Sequence, residues 1–446
     1  MKAGNPLLGG MVKRIFCMLF GAALALGACA AGAQEAYLTR TQAVLEAFMR
    51  GDTEAIAAQF DDAMAAAVDA DGLRSAWNSV TAQMGAVTGV AAIQEDTAAR
   101  TAALMLTHEA GQTMLVAVYD EAEKIAGLSI TPQMQAAQTV ARELPEGVTA
   151  QPVTLFAGTQ RELAGELLIP ANADQHTPYA VLVHGSGPSD RDETVGGCKP
   201  LRDLAYDLAA LGVGSLRFDK ITYACPQYPV ETVEQEYLEP VTEALAVLRS
   251  SVETGRVVLI GHSQGGMLAP WLVETCGFDG GVSLSGTPWQ LWEISHAQNL
   301  ALIALMPEEQ REILTMQVEA EREKALRLLE MTDEEAANAA VYGMSAVYQR
   351  HLAGLDQAQI AKASDKPFFF LWGEKDFQVE RAAFEAWREQ LGEDARFCYQ
   401  TYPGLNHLLM PAGESDSIAN AQAAYQTPNV MDLQVAADIA DWIFDL

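Results

Sequence analysis

Nothing constrains this chain more than Arg256-Val-Val-Leu-Ile-Gly-His-Ser-Gln-Gly-Gly266, an apolar, β-branched run that stops at the pentapeptide Gly261-His262-Ser263-Gln264-Gly265. The run reads as a buried strand, and the small residues after it read as the start of a helix. A strand that turns this sharply into a helix presses backbone against backbone, so glycine stands where a side chain would collide. The turn leaves the Ser263 hydroxyl exposed as a candidate nucleophile.

A serine hydroxyl is a weak nucleophile near neutral pH and needs a base, itself oriented by a third group. Of seven histidines only His296, His351 and His407 follow Ser263, the order expected of a chain that uses such an elbow. His296 and His351 lie in polar, helical sequence, whereas His407 follows the strand-like run Arg396–Thr401 in Tyr402-Pro-Gly-Leu-Asn-His407. A loop at a strand's end would present His407 as the base. For the acid, Lys366-Pro-Phe-Phe-Phe-Leu-Trp-Gly373 is the continuous apolar run of a buried parallel strand. It ends in Glu374-Lys375-Asp376, which makes Asp376 the candidate acid and Glu374 its competitor. Two backbone donors for a developing oxyanion complete the set. One is expected at the turn His184-Gly-Ser186-Gly187, at the Ser186 amide or alternatively that of Gly187; the other is the amide of Gln264.

These segments resemble the α/β-hydrolase superfamily, in particular secreted or lipoprotein-type bacterial esterases of the serine-aminopeptidase-like kind. The resemblance rests on His184-Gly-Ser-Gly-Pro-Ser-Asp-Arg-Asp-Glu193, Lys199-Pro-Leu-Arg-Asp-Leu-Ala205, Leu216-Arg-Phe-Asp-Lys220, Gly261-His-Ser-Gln-Gly-Gly266 with Leu268-Ala-Pro270, and Gly373-Glu-Lys-Asp376. It covers about residues 150–446. It implies an α/β fold, a mostly parallel sheet flanked by helices, and a carboxylic-ester hydrolase without metal or organic cofactor. Its members frequently carry Arg after the Asp-Lys pair, where this chain has Ile221. Asp190, Arg191 and Asp192, beside the oxyanion turn, are read as a loop-fixing ion pair, with substrate contact as the alternative.

At 446 residues the chain exceeds the length of one typical domain. A net charge of −31 repels nucleic-acid phosphates and argues against that partner. No cysteine and histidine cluster has zinc spacing and no glycine-rich phosphate loop is present. Met11-Val-Lys-Arg14 followed by the apolar Ile15–Leu26 reads as an export signal within residues 1–33. Ala31-Gly-Ala33 fits ordinary cleavage, while Leu26-Gly-Ala-Cys29 resembles a lipobox that would leave Cys29 lipidated and the protein at a cell surface. The chain after the signal keeps Cys198, Cys225, Cys276 and Cys398, and a bridge between Cys198 and Cys225 is expected from their loops beside neighbouring strands.

Residues 38–131 differ in character. Amphipathic helices over 41–60 and 71–84, then strand-like runs over 99–109, 112–119 and 123–130, suggest a small α+β domain. Its layout resembles the cone-shaped accessory domain of unknown function found ahead of such hydrolases. The stretch 132–151, with Pro132 and Pro145, reads as a linker to a hydrolase domain over 152–446. About residues 287–364 are charged and helical, with a capping box at Thr332 and Glu335, and read as a cap over the strand ends. Trp289, Trp292 and Tyr348 either line a substrate pocket there or pack the cap to the core. The expected chemistry is acyl transfer on a small-molecule ester. A thioesterase or peptidase would use the same triad, and a binding protein would keep the fold without the reaction.

Overall fold

The computed structural model describes residues 36–446 apart from 97–99, 110, 134–136 and 415. The basic and apolar signal stretch, Cys29 and the cleavage patterns lie outside the described residues. The chain forms two compact units that meet in sequence at Ala136 and Ala137.

The smaller unit begins with α1 (Ala36–Arg50), α2 (Thr53–Ala57), α3 (Asp62–Ala67) and α4 (Ala70–Met84). An antiparallel meander follows: β1 (Val87–Asp96), β2 (Thr101–His108), β3 (Gly111–Tyr119) and β4 (Ile125–Gln133). Its apolar core joins Phe48 and Trp77, stacked at 4.9 Å, to Leu104, Leu106, Leu115 and Ile125 from the sheet. Three details depart from the sequence reading. The helix expected over 41–60 breaks at Gly51, whose φ of +74° suits a helix end, and Asp52 caps α2 by accepting from the Ala55 amide. β1 is a fourth strand whose Gly89 and alanines carry little β signal, and its register slips twice against β2. Pro132, read as linker, lies in β4, paired with Thr113 at the sheet's edge, where a missing amide donor is tolerated.

The larger unit is built on β5 (Thr149–Leu155), β6 (Leu163–Ile169), β7 (Tyr179–Val183), β8 (Gly214–Phe218), β9 (Val257–His262), β10 (Gly281–Leu284), β11 (Phe368–Gly373) and β12 (Phe397–Tyr402). They form one sheet in the order β12-β11-β10-β9-β7-β8-β6-β5. β5 and β6 run antiparallel at one side; the six from β8 to β12 are parallel.

The continuous apolar runs follow from burial on both faces. Val181, Leu259 and Phe370 face one core with α6 (Glu239–Ser251), α8 (Ala269–Cys276), α13 (Gln357–Ala363) and α14 (Arg381–Leu391), helices that contribute Leu245, Leu272, Ala361 and Trp387. Their alternates Leu182, Ile260 and Leu371 face the other, with α5 (Pro200–Ala210) and α15 (Leu433–Asp445). The short α7 (Gln264–Met267) directly follows β9.

Strand order reverses between β7 and β9, and such a switch point opens a crevice at the strands' carboxyl ends. Both the 184–187 turn and the elbow leave there. Between β10 and β11 come α9 (Leu291–Ala304), α10 (Glu308–Leu326), α11 (Asp333–Ala337) and α12 (Ala346–Ala353), with the capping box formed at Thr332 and Glu335. α13 follows them, with Ala358 and Ala361 packed into the sheet core.

All four described cysteines are free thiols, which corrects the expected Cys198 to Cys225 bridge. Cys198 is buried with Leu408, Met410 and Tyr425, and its Sγ faces the Tyr425 and Thr427 carbonyls. Cys225 sits in a different cluster beneath the sheet, against the Glu162 carbonyl. Proximity of loops in sequence logic did not make the two side chains converge.

Candidate active site

The elbow is as tight as its glycines imply. Ser263 takes φ +52° and ψ −114°, a conformation uncommon for a residue with a side chain. A Cβ on Gly265 would lie 2.5 Å from the His184 carbonyl oxygen and 2.7 Å from that of Val183. One on Gly261 would collide with the Gly265 carbonyl. The Ser263 amide donates to the Leu284 carbonyl at 2.8 Å, tying the elbow to the end of β10.

Asp376 follows β11, and its two oxygens are divided between two tasks. Oδ1 accepts from the Gln378 and Val379 amides at 2.7 and 2.9 Å; Oδ2 stands 2.7 Å from His407 Nδ1. Both side chains are almost wholly buried. With a carboxylate as its partner, His407 Nδ1 carries the proton and Nε2 keeps its lone pair. Glu374, the competing acid, is turned elsewhere: it accepts from Thr401 Oγ1 and lies 3.6 Å from Arg381.

The loop after β12 can deliver His407 here because Gly373 has no side chain; a Cβ there would strike the Leu405 and Asn406 carbonyls. Asn406 holds the loop by accepting from the Leu408 and Met410 amides. The His407 carbonyl accepts from Ser285 Oγ at 2.9 Å and from His262 Nε2 at 3.0 Å. His262 precedes Ser263, and its ring centroid lies 4.9 Å from that of His407. The structure therefore pairs His407 with Asp376 and ties the His407 carbonyl to the residue before Ser263. It does not bring His296 or His351 there; these bond to Tyr342 and pair with Glu234.

The turn after β7 packs on the nucleophile, for a Cβ on Gly185 would come within 3.0 Å of Ser263 Cβ. Among the described residues, neither the Ser186 amide nor the Gln264 amide donates to a backbone or side-chain acceptor. Gln264 opens α7, where the first amides have no partner within the helix. The two positions expected to hold an oxyanion thus carry unengaged donors. Gly187 has φ +83°.

Several buried charged residues at the site were missed from sequence because Glu and Lys ordinarily signal a solvated surface. Glu193 accepts from the Gly185 amide at 2.6 Å and pairs with His262 Nδ1 at 3.0 Å. Burial alone would lower the His262 pKa, but the Glu193 carboxylate and the His407 carbonyl outweigh it and raise it. Burial likewise opposes Glu193 ionisation, and the two neighbouring imidazoles, His262 first, pull its pKa below the ordinary value. Their only sequence signal was membership of the quoted motifs. Arg191 binds Asp219 through Nε at 3.0 Å and Nη2 at 3.1 Å, the loop-fixing role, and Asp192 accepts from Lys199 and Arg217. Ile221 is fully buried in the core.

Of the three cap-region aromatics, Trp289 packs on Ile294, Val379 and Ala383. Tyr348 reaches the site: its hydroxyl accepts from Gln264 Nε2 at 3.0 Å. Trp292 is half-buried on α9.

Residues 180–420 match the alpha/beta hydrolase family. Esterase EstD of Thermotoga maritima is 30% identical over 376 residues, spanning 83% of this chain and 86% of that protein. Among solved structures, Est1E from Butyrivibrio proteoclasticus is 16% identical with a TM-score of 0.40, covering 62% of this chain and 96% of its own. The Pyrococcus furiosus esterase Pf2001 is 14% identical with a TM-score of 0.42, covering 69% of this chain and 95% of its own.

Proposed function

The chain belongs to the alpha/beta hydrolase family, and from that membership we propose that it hydrolyses carboxylic esters through Ser263, His407 and Asp376. The observation that carries the reading is the buried 2.7 Å pair of His407 and Asp376, with the His407 carbonyl bonded to the residue that precedes Ser263. The relative of 30% identity is named an esterase, which supports an ester as substrate.

Ser263 Oγ attacks the acyl carbonyl while His407 Nε2 takes its proton. Negative charge then gathers on the former carbonyl oxygen, against the amides of Ser186 and Gln264. His407 returns the proton to the leaving alcohol oxygen, an acyl-enzyme remains, and water activated by the same imidazole releases the acid. Asp376 keeps the imidazole in the productive tautomer and stabilises its charged form.

The test is hydrolysis of p-nitrophenyl acetate and butyrate. Ser263→Ala is expected to lower kcat by about 10^4- to 10^6-fold, and Asp376→Asn by about 10^4-fold. Glu374→Gln is expected to stay near wild type. Undiminished activity in folded Ser263→Ala would sink the assignment.

A further inference from the structure

Lys220 is 1% exposed, a position that costs a lysine its hydration and calls for an account beyond solubility. Its Nζ donates to the Gly185 carbonyl at 2.7 Å and to Tyr237 Oη at 2.7 Å, and lies 2.7 Å from Glu236 Oε1. Tyr237 Oη in turn donates to the same Gly185 carbonyl at 2.8 Å. Glu236 and Tyr237 come from a π-helical turn, Glu234–Leu238, a local form that often marks functional sites. Burial, followed by the Glu236 charge, drives the Tyr237 pKa well above the phenolic range, so it stays a neutral donor.

Gly185 is therefore gripped at both ends, its amide by Glu193 and its carbonyl by Lys220 and Tyr237. No cis peptide occurs among the described residues. In a planar trans peptide the carbonyl and the following N–H point in opposite directions. Fixing the Gly185 carbonyl toward Lys220 and Tyr237 thus fixes the Ser186 N–H away from them. Near the other expected donor, Tyr348 Oη accepts from the Gln264 side chain at 3.0 Å.

Buried ion pairs seldom stabilise a fold more than apolar residues of the same volume would. Here the lysine of the pair and the Tyr237 phenol converge on one peptide carbonyl, which a structural filler has no reason to do. We propose that Lys220, Tyr237 and Glu236 are positioning residues that hold the Gly185–Ser186 peptide with its N–H aimed at the oxyanion. The inference rests on the ester-hydrolase reading above and adds how the oxyanion site is kept preorganised.

The experiment compares full-length wild type with Tyr237→Phe, Lys220→Met and the charge-balanced pair Lys220→Met with Glu236→Gln. Each is measured for kcat and KM on p-nitrophenyl acetate and for Ki of 2,2,2-trifluoroacetophenone, whose serine adduct bears an oxyanion. Circular dichroism and thermal melting establish that each variant is folded. Loss of a full oxyanion donor costs about 10^2- to 10^3-fold in kcat. A misaimed donor is expected to cost about tenfold in Tyr237→Phe and about a hundredfold in the lysine variants. KM should stay within about twofold, because ground-state binding does not use the donor fully. Ki should rise by the same factor as kcat falls. Tyr237→Phe removes a single hydroxyl and gives the reading by itself where a lysine variant does not fold. Folded variants with unchanged kcat, or with lowered kcat and unchanged Ki, overturn the proposal. A fluorophosphonate probe separates the two levels. Labelling of Ser263 in wild type together with unaffected variants removes only the positioning role. Absence of labelling in wild type removes the hydrolase reading and this inference with it.

Discussion

His184 shows how one side chain can carry a pH dependence. It is fully buried beside Phe218, its Nε2 has no hydrogen-bond partner among the described residues, and burial pushes its pKa down to about 4. The unfolded chain takes up this proton near pH 6.5 and the folded one only near pH 4. The stability owed to a neutral His184 is therefore complete above about pH 6.5 and is lost as pH falls toward 4, by a total of about 3 kcal/mol. Urea unfolding at several pH values should show that slope in wild type and lack it in His184→Gln. An identical slope in both would refute it. At this scale, Ser263 and Asp376 were legible as candidates because each closely follows the end of an apolar run, and His407 because it comes after Ser263 in a loop beyond a strand-like run. Lys220, Glu193 and His262 were not. Their partners lie far off in the chain, and a charged letter in a sequence does not reveal that it is buried.

At the scale of elements, the elbow depends on the absence of atoms. Gly265→Ala would set a methyl against two backbone carbonyls that belong to β7 and its following turn, neither of which can step aside cheaply. The substitution is expected to destabilise the protein by about 3 kcal/mol or more, the range of a severe overpacking change. It should also lower kcat by displacing the turn that carries Ser186. Thermal melting and p-nitrophenyl acetate turnover check both, and a wild-type melting temperature would contradict the account. β7, β9 and β11 of the larger sheet announced themselves because burial on both faces makes them apolar at nearly every position. β1 did not, because Gly89, Ala91 and Ala92 interrupt its β-branched residues and its register against β2 slips. Pro132 misled for a related reason: proline punctuates a chain in general, yet an edge strand accommodates it.

At the scale of the whole molecule, each unit has its own apolar core, and every residue assigned to catalysis or positioning belongs to residues 137–446. A protein comprising only those residues is expected to fold and to hydrolyse p-nitrophenyl acetate within about an order of magnitude of the full chain, as a domain with its own core should. Failure to fold, shown by circular dichroism, would mean that the smaller unit completes the larger one. The presence of two units was legible from the change in residue character, whereas their boundary was not, since the polar residues near Pro132 serve a strand and a connection equally well.

The open eight-stranded sheet has to end somewhere, and on one side it ends at β5, most of whose residues are exposed. Pro152 sits in the middle of that strand opposite Glu166. A proline tolerated within a ladder turns its nitrogen outward, so the free rim lacks a donor at its centre. A second copy approaching edge to edge would find its row of hydrogen bonds interrupted. The rim is thereby guarded against self-association at high concentration, and strong net negative charge adds mutual repulsion to that guard.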